Sequence, residues 1–282
     1  MSSSQHPIAL RLERALGLRE TVSGPTKLLA IVMFLPLIDG IFPALILAGG
    51  IDSVAGILQV GLLVFGGSAV LAVILAEMDG TPREQAKIVL LVAAGLLPLA
   101  AVEAALAPTI ASVLDLAIFE RFAALVIAAI AAKTASARIG EYLPSPGVII
   151  GLGFIASVDL SGAELVFTPD LGLILRATAA AGVGVAFALC VALGGPWLRR
   201  NLDIDSFRFG SAVALGVLPL ALLGITFEQA PLAVLLVAAV LAFDPSEGVD
   251  DSIANSSSDE GIEERTASER GYRSEPEREP WL

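Results

Sequence analysis

Fifteen of the seventeen Lys and Arg residues fall in every second interval between hydrophobic stretches, and the alternating intervals carry none. A chain threaded back and forth through a bilayer has this pattern, because basic loops are retained on the cytoplasmic side. The basic intervals hold Arg11, Arg14, Arg19 and Lys27, then Arg83 and Lys87, then Lys133 and Arg138, then Arg199, Arg200 and Arg208, and lastly four Arg in the tail. The opposite intervals lie near Asp52, Pro108 to Ser112, Thr168 to Asp170 and Glu228, and three of these four carry an acid. A cell-membrane protein with both termini cytoplasmic is expected.

Hydrophobic residues make up 56% of the 282 positions and the mean hydropathy is +0.82, so lipid must be the solvent for most of the chain. A spanning helix needs about 20 mainly apolar residues. Eight stretches qualify: 28 to 50, 54 to 76, 88 to 107, 113 to 132, 147 to 167, 171 to 193, 209 to 226 and 230 to 243, the last being the shortest. The fold class is all-α, a polytopic membrane protein of about eight transmembrane helices. The first stretch contains Asp39 and two prolines and lacks a small-residue cleavage site, so it is not a removable signal.

The segments divide as follows: a cytoplasmic start at 1–27, a four-helix block at 28–132, a cytoplasmic linker at 133–146, a second block at 147–243 and a tail at 244–282. Pro7 can open a short helix with Ile8, Leu12 and Leu16 on one face and Arg11 and Arg14 elsewhere, the spacing of a helix in the headgroup plane. The tail holds twelve acids against four Arg and too few apolar residues to offset ordering entropy, so it is expected to be disordered. The scarcity of Lys and the pI of about 4.5 suit a protein of concentrated salt. The one cysteine, Cys190, is expected as a small buried hydrophobe.

Val92 to Ala100 reads VAAGLLPLA and Val213 to Ala221 reads VALGVLPLA, at an offset of 121. Asp39 in LIDG and Asp159 in SVDL stand at an offset of 120. Two four-helix repeats, related by an axis along the membrane normal, account for both offsets.

Asp39 and Asp159 are therefore the candidate ion-binding pair. A carboxylate at mid-bilayer depth costs about 2.5 to 3.5 kcal/mol, so it needs a partner or a function. Pro36, Gly40 and Pro43 break the helix around the first, while Gly151, Gly153, Ser157, Ser161 and Gly162 loosen the second. Exposed carbonyls beside a carboxylate bind cations or move protons at the midplane of repeat transporters. The bland alternative is a pair of capped or protonated residues that lock helix packing. Glu103, Glu120, Arg121, Glu164 and Arg176 form a candidate polar network toward the outer side, with Arg121 or Arg176 as counter-ion to a midplane acid. Glycines at 61, 66, 67, 182 and 184 are expected to permit close helix contact, and Trp197 to anchor at the interface. His6 is the only histidine, which excludes a multi-His metal site, and no cofactor motif is present.

With acids repeated in two halves of a small eight-helix protein, LIDGIFPAL at 37 to 45 and SVDLSGAEL at 157 to 165 resemble the TerC-like and LysE-type membrane proteins. That group includes cation exporters. The TerC pattern places Asn after its Asp, where this chain has Gly40 and Leu160. The whole chain also resembles multi-pass membrane proteins of haloarchaea, a likeness that implies no activity.

Three functions compete. The first is a secondary transporter or exporter of a cation or proton with Asp39 and Asp159 as its site. The second is a non-catalytic scaffold, sensor or assembly factor acting through the acidic tail. The third is an intramembrane aspartyl protease, whose motif order this chain does not match: GLG is followed by Phe154 and Pro43-Ala44-Leu45 comes first. No enzyme activity and no nucleic-acid partner are expected; the lipid bilayer is the expected surrounding.

Overall fold

A computed structural model describes residues 24–159 and 169–243 of the protein. The basic start with Pro7 and Arg11, the stretch holding Ser161, Gly162 and Glu164, and the acidic tail lie outside the described residues.

Every named element is a helix. α1 (Gly24–Ile38) and α2 (Ile41–Leu47) form a first rod broken at Asp39 and Gly40. α3 (Val54–Gln59) runs through a π-helical stretch, Val60–Gly66, into α4 (Gly67–Ala72) and a second π-helical stretch, Val73–Glu77. α5 (Pro82–Ala111), α6 (Leu116–Ala135), α7 (Ala137–Tyr142), α8 (Pro146–Ser157), α9 (Leu171–Asn201), α10 (Ile204–Leu222) and α11 (Ala230–Leu241) follow.

Five helical rods are long and apolar enough to cross a membrane: Gly24–Leu47, Val54–Glu77, α5, α9 and α10. The other three stretches fall short for separate reasons. α6 has 20 residues but contains Glu120, Arg121 and Lys133. α8 and α11 have 12 residues each, about 18 Å of helix against a hydrocarbon core of about 30 Å. The outer surface is apolar: Ile38, Leu175, Leu236 and Leu241 are each more than 60% exposed. Exposed hydrophobic residues on this scale are compatible with an integral membrane protein.

Polar side chains set the helix ends. Thr81 and Glu84 form a capping box ahead of Pro82, with Glu84 Oε2 accepting from the Thr81 N–H at 2.8 Å, so α5 starts six residues before its apolar run at 88. Asp115 caps α6 by accepting from the N–H groups of Ala117 and Ile118, and Asp170 caps α9 by accepting from those of Gly172 and Leu173. Asp203 caps α10, and the hydrogen bond from Ser206 helps hold its carboxyl below the usual carboxylate range.

The centre of the bundle is the packing of α9 against α5 and against the Val60–Gly66 stretch. Glycines make this approach possible. A Cβ built on Gly184 would lie 2.4 Å from Phe65 Cβ, and one on Gly61 would lie 2.5 Å from Val183 Cβ. Gly66 is similarly close to Phe187, whereas Gly67 and Gly182 have nothing within 4 Å, so three of the five expected contact glycines meet a neighbour. α10 packs between α6 and α11, and α8 lies on α6. Cys190 is exposed, not buried as expected, because it falls on a face of α9 that carries the exposed Leu193 and Ala186. Trp197 is half-exposed and stacks on Phe243 at 5.3 Å between ring centroids.

Candidate functional site

Three residues make the break at Asp39. Pro36 within α1 and Pro43 within α2 lack an N–H, so the carbonyls of Val32 and Asp39 have no donor four residues on. Gly40 sits between them at φ 77° and ψ 8°, a left-handed conformation that favours glycine. α1 therefore ends with the Asp39 N–H bonded to Leu35 O at 2.8 Å, and α2 restarts on the Gly40 carbonyl.

The break opens on a cavity of about 520 Å³. Its walls are Leu35, Asp39 and Ile41 from the first rod, Ser68, Ala69 and Ala72 from α4, Ile130, Lys133 and Thr134 from α6, Pro146 at the start of α8, and Arg208 from α10. Ser68 and Ala69 each share a face with Ala72 because positions four and three apart lie together on a helix. π-helical stretches flank α4 on both sides, a feature frequent at functional sites. Lys133 Nζ donates to the Pro144 carbonyl at 3.0 Å. With one carboxylate and two cations in its wall, the cavity carries a formal charge of +1 when Asp39 is ionised and +2 when it is protonated.

A second cavity of about 190 Å³ shares Leu35, Ile41, Ser68, Ala69, Ile130 and Thr134 with the first. Beyond them its lining is mainly apolar, with Val32, Leu63, Val64, Ile127 and Leu215, and a hydroxyl from Ser211. The two volumes form an apolar chamber behind a charged one.

The structure does not place Asp159 with Asp39. Asp159 was expected near mid-helix, but α8 stops at Ser157 and Asp159 is exposed beyond its end. Backbone pairing explains the stop: Asp115 N–H bonds to Ser157 O at 2.6 Å and Asp159 N–H to Val113 O at 3.0 Å, forming a bridge between Leu114 and Val158. Gly40 faces Ile150, with 3.5 Å from a built Cβ to Ile150 Cδ1. From Ile150 to Ser157 is about 10 Å along the helix axis, and Asp159 lies two residues beyond, past the extended Val158. The two acids thus lie toward opposite ends of α8, and paired-aspartate chemistry has no geometry to support it.

The expected polar network is not assembled either. Arg176 pairs with Asp52, Nη1 to Oδ1 at 2.9 Å, and so is not the counter-ion of a midplane acid. Arg121 is exposed, Glu120 is half-buried, and Glu103 Oε2 is buried without a hydrogen-bond partner among the described residues. Glu164 lies outside the described residues. Sequence reasoning used Lys133 and Arg208 only as loop markers and missed that both reach the Asp39 cavity. The available signal was their position inside helices, Lys133 two residues before the end of α6 and Arg208 in the second turn of α10. Arg199 was likewise missed: it donates to the carbonyls of Ile74, Leu75 and Met78 and closes the end of the Val73–Glu77 stretch.

Residues 96–223 match a family of unknown function, DUF5794. The match includes Lys133, Thr134, Pro146 and Arg208 from the cavity wall, while Asp39 and α4 precede it. No curated protein and no solved structure matches the chain.

Proposed function

We propose that this chain is a multi-pass membrane protein of eight crossings, with both termini cytoplasmic, and that it works as a secondary transporter in which Asp39 carries a coupling proton. The observation that carries this reading is the cavity: a carboxylate at a break in the first rod faces an open volume shared with Lys133 and Arg208. The repeated VAAGLLPLA and VALGVLPLA segments favour two related halves, with α6, α8 and α11 as the remaining crossings.

The proton is the cation that suits this site. A calcium-sized ion takes six to eight oxygen ligands and a transition metal several His, Cys or carboxylate groups. Among the described residues no group of three or more His, Cys, Asp or Glu could hold a metal ion, and Asp39 shares its cavity with two cations. Those cations take the counter-ion role that sequence reasoning gave to Arg121 or Arg176. Asp159 drops out of the site. The scaffold alternative rests on the acidic tail, which lies outside the described residues.

The test is proton flux in proteoliposomes with a trapped pH dye and a panel of external ions, each supplied in turn. At least one solute is expected to drive flux above that of empty vesicles, and Asp39→Asn to reduce it to background. An Asp39→Asn variant that keeps the wild-type rate for every solute contradicts the proposal.

A further inference from the structure

From the two joined cavities we infer the class of substrate: an amphiphilic anion, with a carboxylate or phosphate head and an aliphatic tail of about six to eight carbons. The inference rests on the transporter reading and deepens it. The charged chamber supplies the head site, because Lys133 and Arg208 outnumber Asp39 in its wall. Guanidinium and ammonium groups bind carboxylate and phosphate through short charge-assisted hydrogen bonds. The inner chamber supplies the tail site. Its 190 Å³ is lined by Val32, Leu63, Val64, Ile127 and Leu215, and an apolar cavity of about 150 Å³ is large enough to hold benzene. Ala69 borders both chambers and is exposed although it lies on a rod packed within the bundle, so open space reaches the wall the two chambers share.

The same arrangement couples the anion to the proton. Ionised Asp39 repels an anionic head and competes for the two cations. Protonating it raises the formal wall charge from +1 to +2, so anion and proton favour one another's binding. A cationic amphiphile would show the opposite dependence.

The head group could belong to a free amphiphile or to a membrane lipid, so the experiment separates the two. Full-length protein in nanodiscs of zwitterionic lipid is equilibrated by dialysis with butyl, hexyl, octyl and dodecyl phosphate, with inorganic phosphate and with octyltrimethylammonium, and uptake by empty nanodiscs is subtracted. Affinity is expected to rise by about fourfold per methylene up to octyl and then to level off. Lys133→Gln and Arg208→Gln should each weaken octyl phosphate about tenfold, and Asp39→Asn should strengthen it. Ala69→Leu, which fills the space at that shared wall, should weaken octyl but not butyl phosphate. If octyl phosphate is displaced by nanodiscs containing anionic phospholipid, the head belongs to a lipid; if not, to a free solute.

Tighter binding of octyltrimethylammonium, or equal affinity for octyl and inorganic phosphate, overturns the inference. Should the cationic variants lose binding through misfolding, their elution profile and melting curve reveal it, and the opposite sign expected for Asp39→Asn still decides. Loss of this selectivity with Asp39-dependent proton flux intact removes the substrate class alone. Binding intact without flux removes the transporter reading.

Discussion

Adding one methyl group to α9 should have opposite effects at two neighbouring glycines. At Gly184 the new Cβ would lie 2.4 Å from Phe65 Cβ, 3.0 Å from the Gly61 carbonyl oxygen and 3.2 Å from the Phe65 carbonyl carbon, and all three atoms belong to main chain or to the base of a side chain. Ordinary carbon contacts are about 3.5 to 4.0 Å, so the α9 backbone must retreat from the Val60–Gly66 stretch by roughly 1 Å. Overpacking of this kind costs about 1 to 3 kcal/mol. At Gly182 nothing lies within 4 Å, and replacing a mid-helix glycine by alanine gains about 0.5 to 1 kcal/mol in helix propensity. Both variants gain the propensity term, so Gly184→Ala should be less stable than Gly182→Ala by the overpacking cost alone, about 1 to 3 kcal/mol. Purified variants in one detergent, unfolded reversibly with sodium dodecyl sulfate and followed by circular dichroism, give the comparison. Equal midpoints, or a more stable Gly184→Ala, would refute the close approach of α9 to the π-helical stretch.

Two further outcomes are expected from polar contacts at the rod ends. Asp170→Ala removes the oxygen that accepts from Gly172 and Leu173 and should cost about 1 kcal/mol in the same unfolding assay, with Asp170→Asn recovering most of it. Arg199→Met keeps the aliphatic stem but loses the donors to the Ile74, Leu75 and Met78 carbonyls; about 1.5 to 3 kcal/mol should be lost, and amide exchange should speed up between Val73 and Met78.

What the sequence revealed followed how local each feature is. The break at Asp39 was legible because Pro36, Gly40 and Pro43 act on backbone within a few residues. Close contact at Gly61, Gly66 and Gly184 was legible because small residues in apolar helices have few other uses. Alternating basic intervals gave the membrane class without reference to any fold. Asp159 was misplaced because the end of α8 depends on pairing with Val113 and Asp115, more than forty residues earlier in the chain. Arg176 was assigned to a midplane acid because hydropathy reports depth but not azimuth, and its partner Asp52 had been counted as a loop charge. Lys133 and Arg208 were hidden for a related reason: positive-inside counting treats a basic residue near a helix end as a topological marker, whereas its long side chain can also reach a cavity.

Sidedness of labelling at the two aspartates tests the central claim most directly. In a Cys190→Ala background, Asp39→Cys and Asp159→Cys are each exposed to a membrane-impermeant maleimide from one face of oriented vesicles and then the other. Because the Asp39 cavity is walled by Lys133 and Arg208 while Asp159 lies past the far end of α8, Asp39→Cys should react from the face that carries the basic loops, the proposed cytoplasmic side, and Asp159→Cys from the opposite one. Labelling of both from a single face, or an Asp39→Cys inert from both, would contradict a chamber at Asp39 open to the face with the basic loops and the function built on it.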